Sequence, residues 1–212
     1  MSQVVVGNRL ASQHDALRHA ASYLNDKTKA WAYPAYDAYQ MGAASGPLTD
    51  ADLLAPVLLN VQHLGLDLYY RLQQELPVWQ AVLDTLAPDA SLARASQADL
   101  TLIGRMFAGI DDGRLTGAKQ TIVTKILHRK RPALIPLYDD QISNCYIKGD
   151  DAPVPQVKGR AKADFMPLFC AAVQRDLVSQ LPFWETVAAL APGPPITPLR
   201  ALDIVGWWMG GQ

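Results

Sequence analysis

Apolar residues recur at helical spacing along most of this chain, and alternation with a period of two is nearly absent. Residues Ile122, Val123, Ile126 and Leu127 fall on one face of a helix predicted over 119–127. Further helices are predicted to begin near Thr49 and to cover 96–106, 138–146, 162–190 (one or two helices, interrupted near Pro182) and 199–209. Half of the residues are hydrophobic, which is enough for a core. The sequence therefore predicts an all-α fold, a single compact multi-helix domain over residues 1–212 with at most a minor hairpin.

The sequence carries no mark of a membrane, secreted or metal-binding protein. No run of 18 apolar residues occurs, so we expect no membrane-spanning helix. Residues 1–9 lack the basic and long apolar regions of a signal peptide, and the two cysteines fit a reducing compartment, so the cytoplasm is expected. The histidines are scattered, so no metal site and no cofactor are expected; they are His14, His19, His63 and His128.

Positive charge is concentrated in one part of an otherwise balanced chain. The net charge is −1, which argues against nucleic-acid binding through bulk charge. Between residues 113 and 138, however, six basic residues occur and no acidic one. The cluster from Lys125 to Arg131 is typical of a solvated helix face, and the alternative is a surface that contacts DNA. If DNA binds here, the contacting residues are expected to include Lys125, Arg129, Lys130 and Arg131.

A glycine-bearing turn precedes this basic helix, and an acidic pair follows it. The backbone N–H groups of a turn at a helix start can hold a phosphate, so Gly117 and Lys119 are candidate DNA-binding residues. Asp139 and Asp140 follow a Pro-rich link and stand where the next helix is predicted to begin. Asp139 is expected to cap that helix through its carboxylate, and a capping carboxylate can also face a cleft.

Residues 115–142 resemble a segment of the helix-hairpin-helix DNA glycosylase superfamily. In that family a Leu-Pro-Gly-x-Gly hairpin starts a helix, and a catalytic Asp follows; here the matching residues are Leu115 to Lys119 and, 24 positions after Leu115, Asp139. The resemblance implies that Asp139 is catalytic and that DNA is the partner. Thr116 and Lys119 replace the Pro and the second Gly of the hairpin, and Thr121 stands where some members carry a nucleophilic Lys. Lyase activity at Thr121 is therefore not expected.

A second resemblance covers most of the chain. The segments Lys125–Asp139, Thr49–Asn60 and Pro198–Trp208 look like those of an actinobacterial family of unknown function. This resemblance implies no activity, because none is established for that family.

Aromatic residues fall into two groups in the sequence. The tryptophans Trp79, Trp184, Trp207 and Trp208 are expected in the core. The segment Tyr33–Tyr39 is expected to anchor its rings on the core, and stacking on nucleic-acid bases is the alternative.

Three hypotheses of function remain open on the sequence. The first is a DNA glycosylase-like enzyme that uses Asp139, and the second is a non-catalytic module that binds nucleic acid through the same basic segment. The third is a small-molecule enzyme or an interaction protein on a reused helical scaffold. A base-sized pocket beside Asp139 would favour the first, a flat basic surface the second, and a closed apolar pocket elsewhere the third.

Overall fold

The structure is a computed structural model that describes residues 2–40, 46–61 and 64–212, so His63 lies outside the described residues. It begins with a two-stranded antiparallel hairpin, formed by strand β1 (Gln3–Val6) and strand β2 (Arg9–Ser12). Gly7 occupies the turn with a φ of +62°, and a Cβ there would lie 2.0 Å from the carbonyl oxygen of Cys145. Only glycine therefore allows the hairpin to approach this part of the chain so closely.

Helices make up most of the remaining structure, which confirms the predicted fold class. Within the described residues, two of the helices are 3-10 helices, Asp50–Leu59 and Leu92–Arg94. The α-helices are α1 (Gln13–Asn25), α2 (Ala35–Ala38), α3 (Leu66–Leu83), α4 (Gln97–Arg105), α5 (Ala108–Asp111), α6 (Gln120–Lys130), α7 (Asp140–Tyr146), α8 (Lys162–Ser179), α9 (Leu181–Ala188) and α10 (Pro198–Gly210). The interruption expected near Pro182 is confirmed, because α8 ends at Ser179 and α9 begins at Leu181.

Local capping chemistry explains where several helices begin. The Asp52 carboxylate accepts from the Thr49 amide at 2.7 Å, which fixes the start of the 3-10 helix Asp50–Leu59. That helix contains Pro56, whose ring and missing N–H disfavour a regular α-helix. Ser96 and Asp99 form an equivalent capping box at α4. The residues that fix where these helices begin therefore lie within one helical turn of each other.

A common apolar core joins the hairpin to the helices. α6 and α10 are deeply buried, α4 packs along α8, and both α7 and α9 pack against α10. Trp79 and Trp184 are fully buried, as expected. The prediction for Trp207 is wrong, because 40% of this residue is exposed. Trp207 lies at the mouth of a cavity and not in the core.

The segment Tyr33–Tyr39 anchors its aromatic rings on the protein. Tyr36 is fully buried, and its hydroxyl donates to the backbone carbonyl of Lys125 at 2.7 Å. Tyr33 is 6% exposed and donates its hydroxyl to the carbonyl of Pro194 at 3.0 Å. Among the described residues, no helix combines the length and the apolar character needed to cross a membrane.

Candidate functional site

The basic cluster of α6 is buried, so the expectation of a solvated helix face is wrong. Lys125 is 7% exposed, Arg129 6%, Lys130 2% and Arg131 8%. The 3-10 helix Asp50–Leu59 and the Tyr33–Tyr39 segment pack over this side of α6. In this conformation the four side chains do not form an open surface for a DNA backbone.

Parts of the chain far from α6 supply the partners of its basic residues. The Lys125 ammonium donates to the backbone carbonyl of Leu59 at 2.8 Å, and the Arg129 guanidinium donates to the carbonyl of Tyr39. Lys130 forms an ion pair with Asp52 at 3.4 Å, and both side chains are at most 2% exposed. The positive charges therefore hold Tyr39 and the 3-10 helix Asp50–Leu59 against the core.

Asp139 caps α7, as the sequence predicts. Its Oδ1 accepts hydrogen bonds from the amides of Gln141 and Ile142, both at 3.0 Å. Its other carboxylate oxygen makes no hydrogen bond to a described residue. The residue is half-buried, whereas Asp140 is exposed. The neighbouring carboxylates thus stand in different surroundings.

A cavity of about 160 Å³ opens beside Asp139. An apolar cavity of roughly 150 Å³ admits benzene, so this one has the size for a single six-membered ring. Its walls come from α6, α10, the end of α1, the end of the 3-10 helix Asp50–Leu59, and the segments 30–32 and 137–139. The lining residues that carry chemistry or aromatic surface are Tyr23, Trp31, Lys125, Asp139, Arg200, Asp203 and Trp207.

A buried guanidinium forms the inner wall of this cavity. Arg200 donates to both carboxylate oxygens of Asp37, at 2.9 and 3.2 Å, and to the hydroxyl of Tyr23 at 3.0 Å. It also donates to the Asp203 carboxylate one turn along α10. These contacts fix Asp203 at the cavity wall and leave Arg200 fully engaged.

Burial shifts the titration of two groups that line the cavity. It raises the pKa of Asp203 to about 6, against the opposing effect of the Arg200 charge. Burial also lowers the pKa of the Lys125 ammonium, and the nearby Asp139 and Asp203 carboxylates offset only part of that effect. Near neutral pH the cavity therefore holds a carboxyl group close to its titration point and an unusually acidic ammonium.

Gly117 and Lys119, unlike the basic residues of α6, are exposed to solvent, whereas Ala118 between them is buried. Gly117 has a φ of +90°, and Lys119 is the N-cap residue of α6. The start of α6 lacks a side-chain cap, and phosphate binding at this turn stays a prediction.

A family of unknown function (DUF6308) matches residues 16–210 of the chain. The chain belongs to this family. No curated protein and no solved structure matches it. Membership in DUF6308 confirms the resemblance to a family of unknown function and assigns no activity; no link to the DNA glycosylases is shown.

Sequence reasoning missed three cavity residues on α10 in this DUF6308 chain. Arg200, Asp203 and Trp207 are spaced i, i+3 and i+7, which places them on one helical face. α10 is otherwise largely apolar and buried, so two charged residues on its face are unusual. This combination is the signal that could have found them.

Proposed function

We propose that the Asp139 cavity binds a base-sized ring and that Asp139 assists cleavage of the N-glycosidic bond that joins such a ring to a sugar. The observation that supports this proposal most directly is that Asp139 both caps α7 and lines the cavity. Two backbone amides fix one carboxylate oxygen, and the same residue lines a cavity that fits one six-membered ring. The glycosylase-like distance of Asp139 from the turn at Leu115 supports the same function.

The chemistry needs an ionised carboxylate that is held still. Breaking an N-glycosidic bond builds positive charge on the sugar, which a fixed carboxylate stabilises. Hydrogen bonds from the amides of Gln141 and Ile142 hold one carboxylate oxygen of Asp139 in place at the start of α7. The aromatic rings of Trp31 and Trp207 supply surface on which a planar base can pack.

DNA is the proposed partner, with the turn at Gly117 and Lys119 as its point of contact. Both residues are exposed at an uncapped helix start, which favours phosphate binding. Lys119 and Lys125 are six residues apart on α6, or about 9 Å along the helix axis. A strand held at the turn can therefore place one extruded base in the cavity. The buried Arg129, Lys130 and Arg131 have no direct part in this contact.

Abasic-site formation tests the proposal. Duplexes that carry alkylated, deaminated or oxidised bases are incubated with the wild-type protein, Asp139→Asn and the matched control Asp140→Asn. We expect release of at least one base by the wild type and by Asp140→Asn, and no release by Asp139→Asn. Asparagine keeps a capping oxygen, so this variant should remain folded.

A DNA-binding titration, run beside the base-release assay, separates an enzyme from a binding module. DNA binding that is lost in Lys119→Ala, without release of any base, would support a non-catalytic nucleic-acid-binding protein. Absence of both binding and release would reject the two nucleic-acid functions together.

A further inference from the structure

Two buried lysines on α6 have different surroundings. Lys130 is ion-paired with Asp52 at 3.4 Å, and both side chains are at most 2% exposed. Lys125, five residues earlier, donates only to the neutral backbone carbonyl of Leu59, at 2.8 Å. Among the described residues, no carboxylate lies within ion-pair distance of its ammonium. The ion pair gives Lys130 a structural role, whereas Lys125 is held in place by a single weak acceptor.

Lys125 is also the cavity-lining residue with an available amine. Arg200, the other cation among the described residues that line the cavity, is engaged with Asp37, Asp203 and Tyr23. An ammonium has three N–H groups, so the bond to Leu59 leaves two of them free. Lys125 and its acceptor Leu59 both line the cavity of about 160 Å³, which can admit a ring-sized compound.

We propose that Lys125 is a nucleophilic amine that captures a small carbonyl compound as an imine inside the Asp139 cavity. The ligand class is an aldehyde or ketone on a group of about one ring. This inference does not rest on the proposed cleavage of N-glycosidic bonds. It assigns to the cavity a covalent chemistry that needs only an amine and a carbonyl compound.

The reaction balances without any further reactant. The neutral amine of Lys125 adds to the carbonyl carbon, and the carbonyl oxygen takes up a proton to give a carbinolamine. Loss of that oxygen as water forms the C=N bond, and the nitrogen gives up its remaining proton. Asp203 lines the same cavity and can accept and return protons during these steps. Desolvation favours the neutral amine, because burial lowers the pKa of Lys125.

Reductive trapping on the full chain tests the inference. Benzaldehyde and sodium cyanoborohydride are added near neutral pH, and peptide mass spectrometry measures labelling at each lysine over time. The exposed Lys119 of the same molecules is the internal control. Burial lowers the pKa of Lys125, so a larger fraction of its amine is uncharged near neutral pH. We expect Lys125 to be labelled faster than Lys119.

Cavity size supplies a second control. A large aldehyde, pyrene-1-carboxaldehyde, should label Lys119 and spare Lys125, because the cavity admits only about one ring. Benzyl alcohol, which has the ring and no carbonyl, should slow the labelling of Lys125 alone. In Lys125→Arg the fast adduct should disappear, and in Lys119→Arg it should persist.

Two outcomes would overturn the inference: labelling of Lys125 no faster than that of Lys119, or equal labelling of Lys125 by the large aldehyde. The result is separable from the proposed function. Fast labelling of Lys125 with no base release rejects the glycosidic activity and keeps the amine site. Base release by the wild type with slow labelling of Lys125 keeps the glycosidic activity and rejects the amine site.

Discussion

Arg200 on α10 and Asp37 on α2 are 163 positions apart in the chain and form a buried, two-pronged ion pair. The same guanidinium binds the Asp203 carboxylate and the Tyr23 hydroxyl. The pair thereby joins α1, α2 and α10 behind the cavity that Asp139 lines. The shape of the candidate site depends on a contact that no local sequence pattern encodes.

Removal of the Arg200 guanidinium is expected to destabilise the protein strongly. In Arg200→Leu the carboxylates of Asp37 and Asp203 stay buried without their cation, which costs about 3–5 kcal/mol in the free energy of unfolding. Urea denaturation measures this loss. Arg18→Ala is the control, since Arg18 pairs with Asp15 on the exposed face of α1. That change should cost no more than about 1 kcal/mol. Equal losses of unfolding free energy in the two variants would mean that the buried ion pairs of Arg200 contribute no more to stability than an exposed pair.

Substitution of Gly210 should disturb the packing of α10 on α7. A Cβ at this position would lie 1.9 Å from the carbonyl oxygen of Gln141, so Gly210→Ala must push the two helices apart. We expect a loss of about 1–3 kcal/mol, measured as a lower midpoint in thermal unfolding. Gly65→Ala is the control, because a Cβ there meets nothing within 4 Å and the φ is −66°. An unchanged midpoint in Gly210→Ala would contradict the close contact.

Asp203 should make the stability of the protein depend on pH. Burial raises the pKa of Asp203 in the folded state from 3.8 to about 6, so ionisation of this group opposes folding. The protonated carboxyl group of Asp203 contributes fully to the free energy of unfolding below about pH 3.8. This contribution is lost as the pH rises through about 6. Asp203→Asn cannot ionise, so its free energy of unfolding should gain about 3 kcal/mol relative to wild type between about pH 4 and pH 7. Denaturant titrations at several pH values measure the difference. A difference that is constant over this range would show that Asp203 keeps an ordinary pKa.

The cap at α7 gives a stability test that is independent of any activity. Asp139→Ala removes the oxygen that accepts from Gln141 and Ile142, and we expect a loss of about 1 kcal/mol. Asp139→Asn should cost a few tenths of that amount, because asparagine caps nearly as well. Asp140→Ala, at an exposed position, is the matched control. If all three variants have the same free energy of unfolding as the wild type, the cap does not contribute to stability.

Features that depend on neighbouring residues could be predicted from the sequence. The capping role of Asp139 follows from its place after a Pro-rich link, and the start of α4 follows from Ser96 and Asp99, three positions apart. In each case the amides that are bonded lie within one turn of the capping side chain. The break between α8 and α9 is likewise marked by Pro182 at the start of α9.

The burial of the α6 charges could not be predicted in this way. The acceptors of Lys125 and Arg129 are the backbone carbonyls of Leu59 and Tyr39, which carry no residue-specific signal in the sequence. A basic helix covered by distant carbonyls has the same composition as one that faces solvent or DNA. Only the three-dimensional structure separates these possibilities.

The N-terminal hairpin left a weak signal that was too short to be decisive. Val4 and Val6 are fully buried, but the run of three valines hides the alternation of the strand. Gly7 and Asn8, which join the strands, are typical of a two-residue hairpin turn. Such a pair between short apolar segments is the feature by which the hairpin could have been found.

This hairpin also fixes an order of events during protein synthesis. The amide of Val5 donates to the side chain of Gln180, 175 residues later, and the amide of Gly7 donates to Asp176. β1 can pair with β2 as soon as both strands are made, but its contacts with Asp176 and Gln180 form only after α8 has been translated. Contacts so far apart along the chain are slow to form. Until α8 and α10 emerge, part of the apolar surface of Val4 and Val6 stays exposed on the nascent chain, where a chaperone can bind.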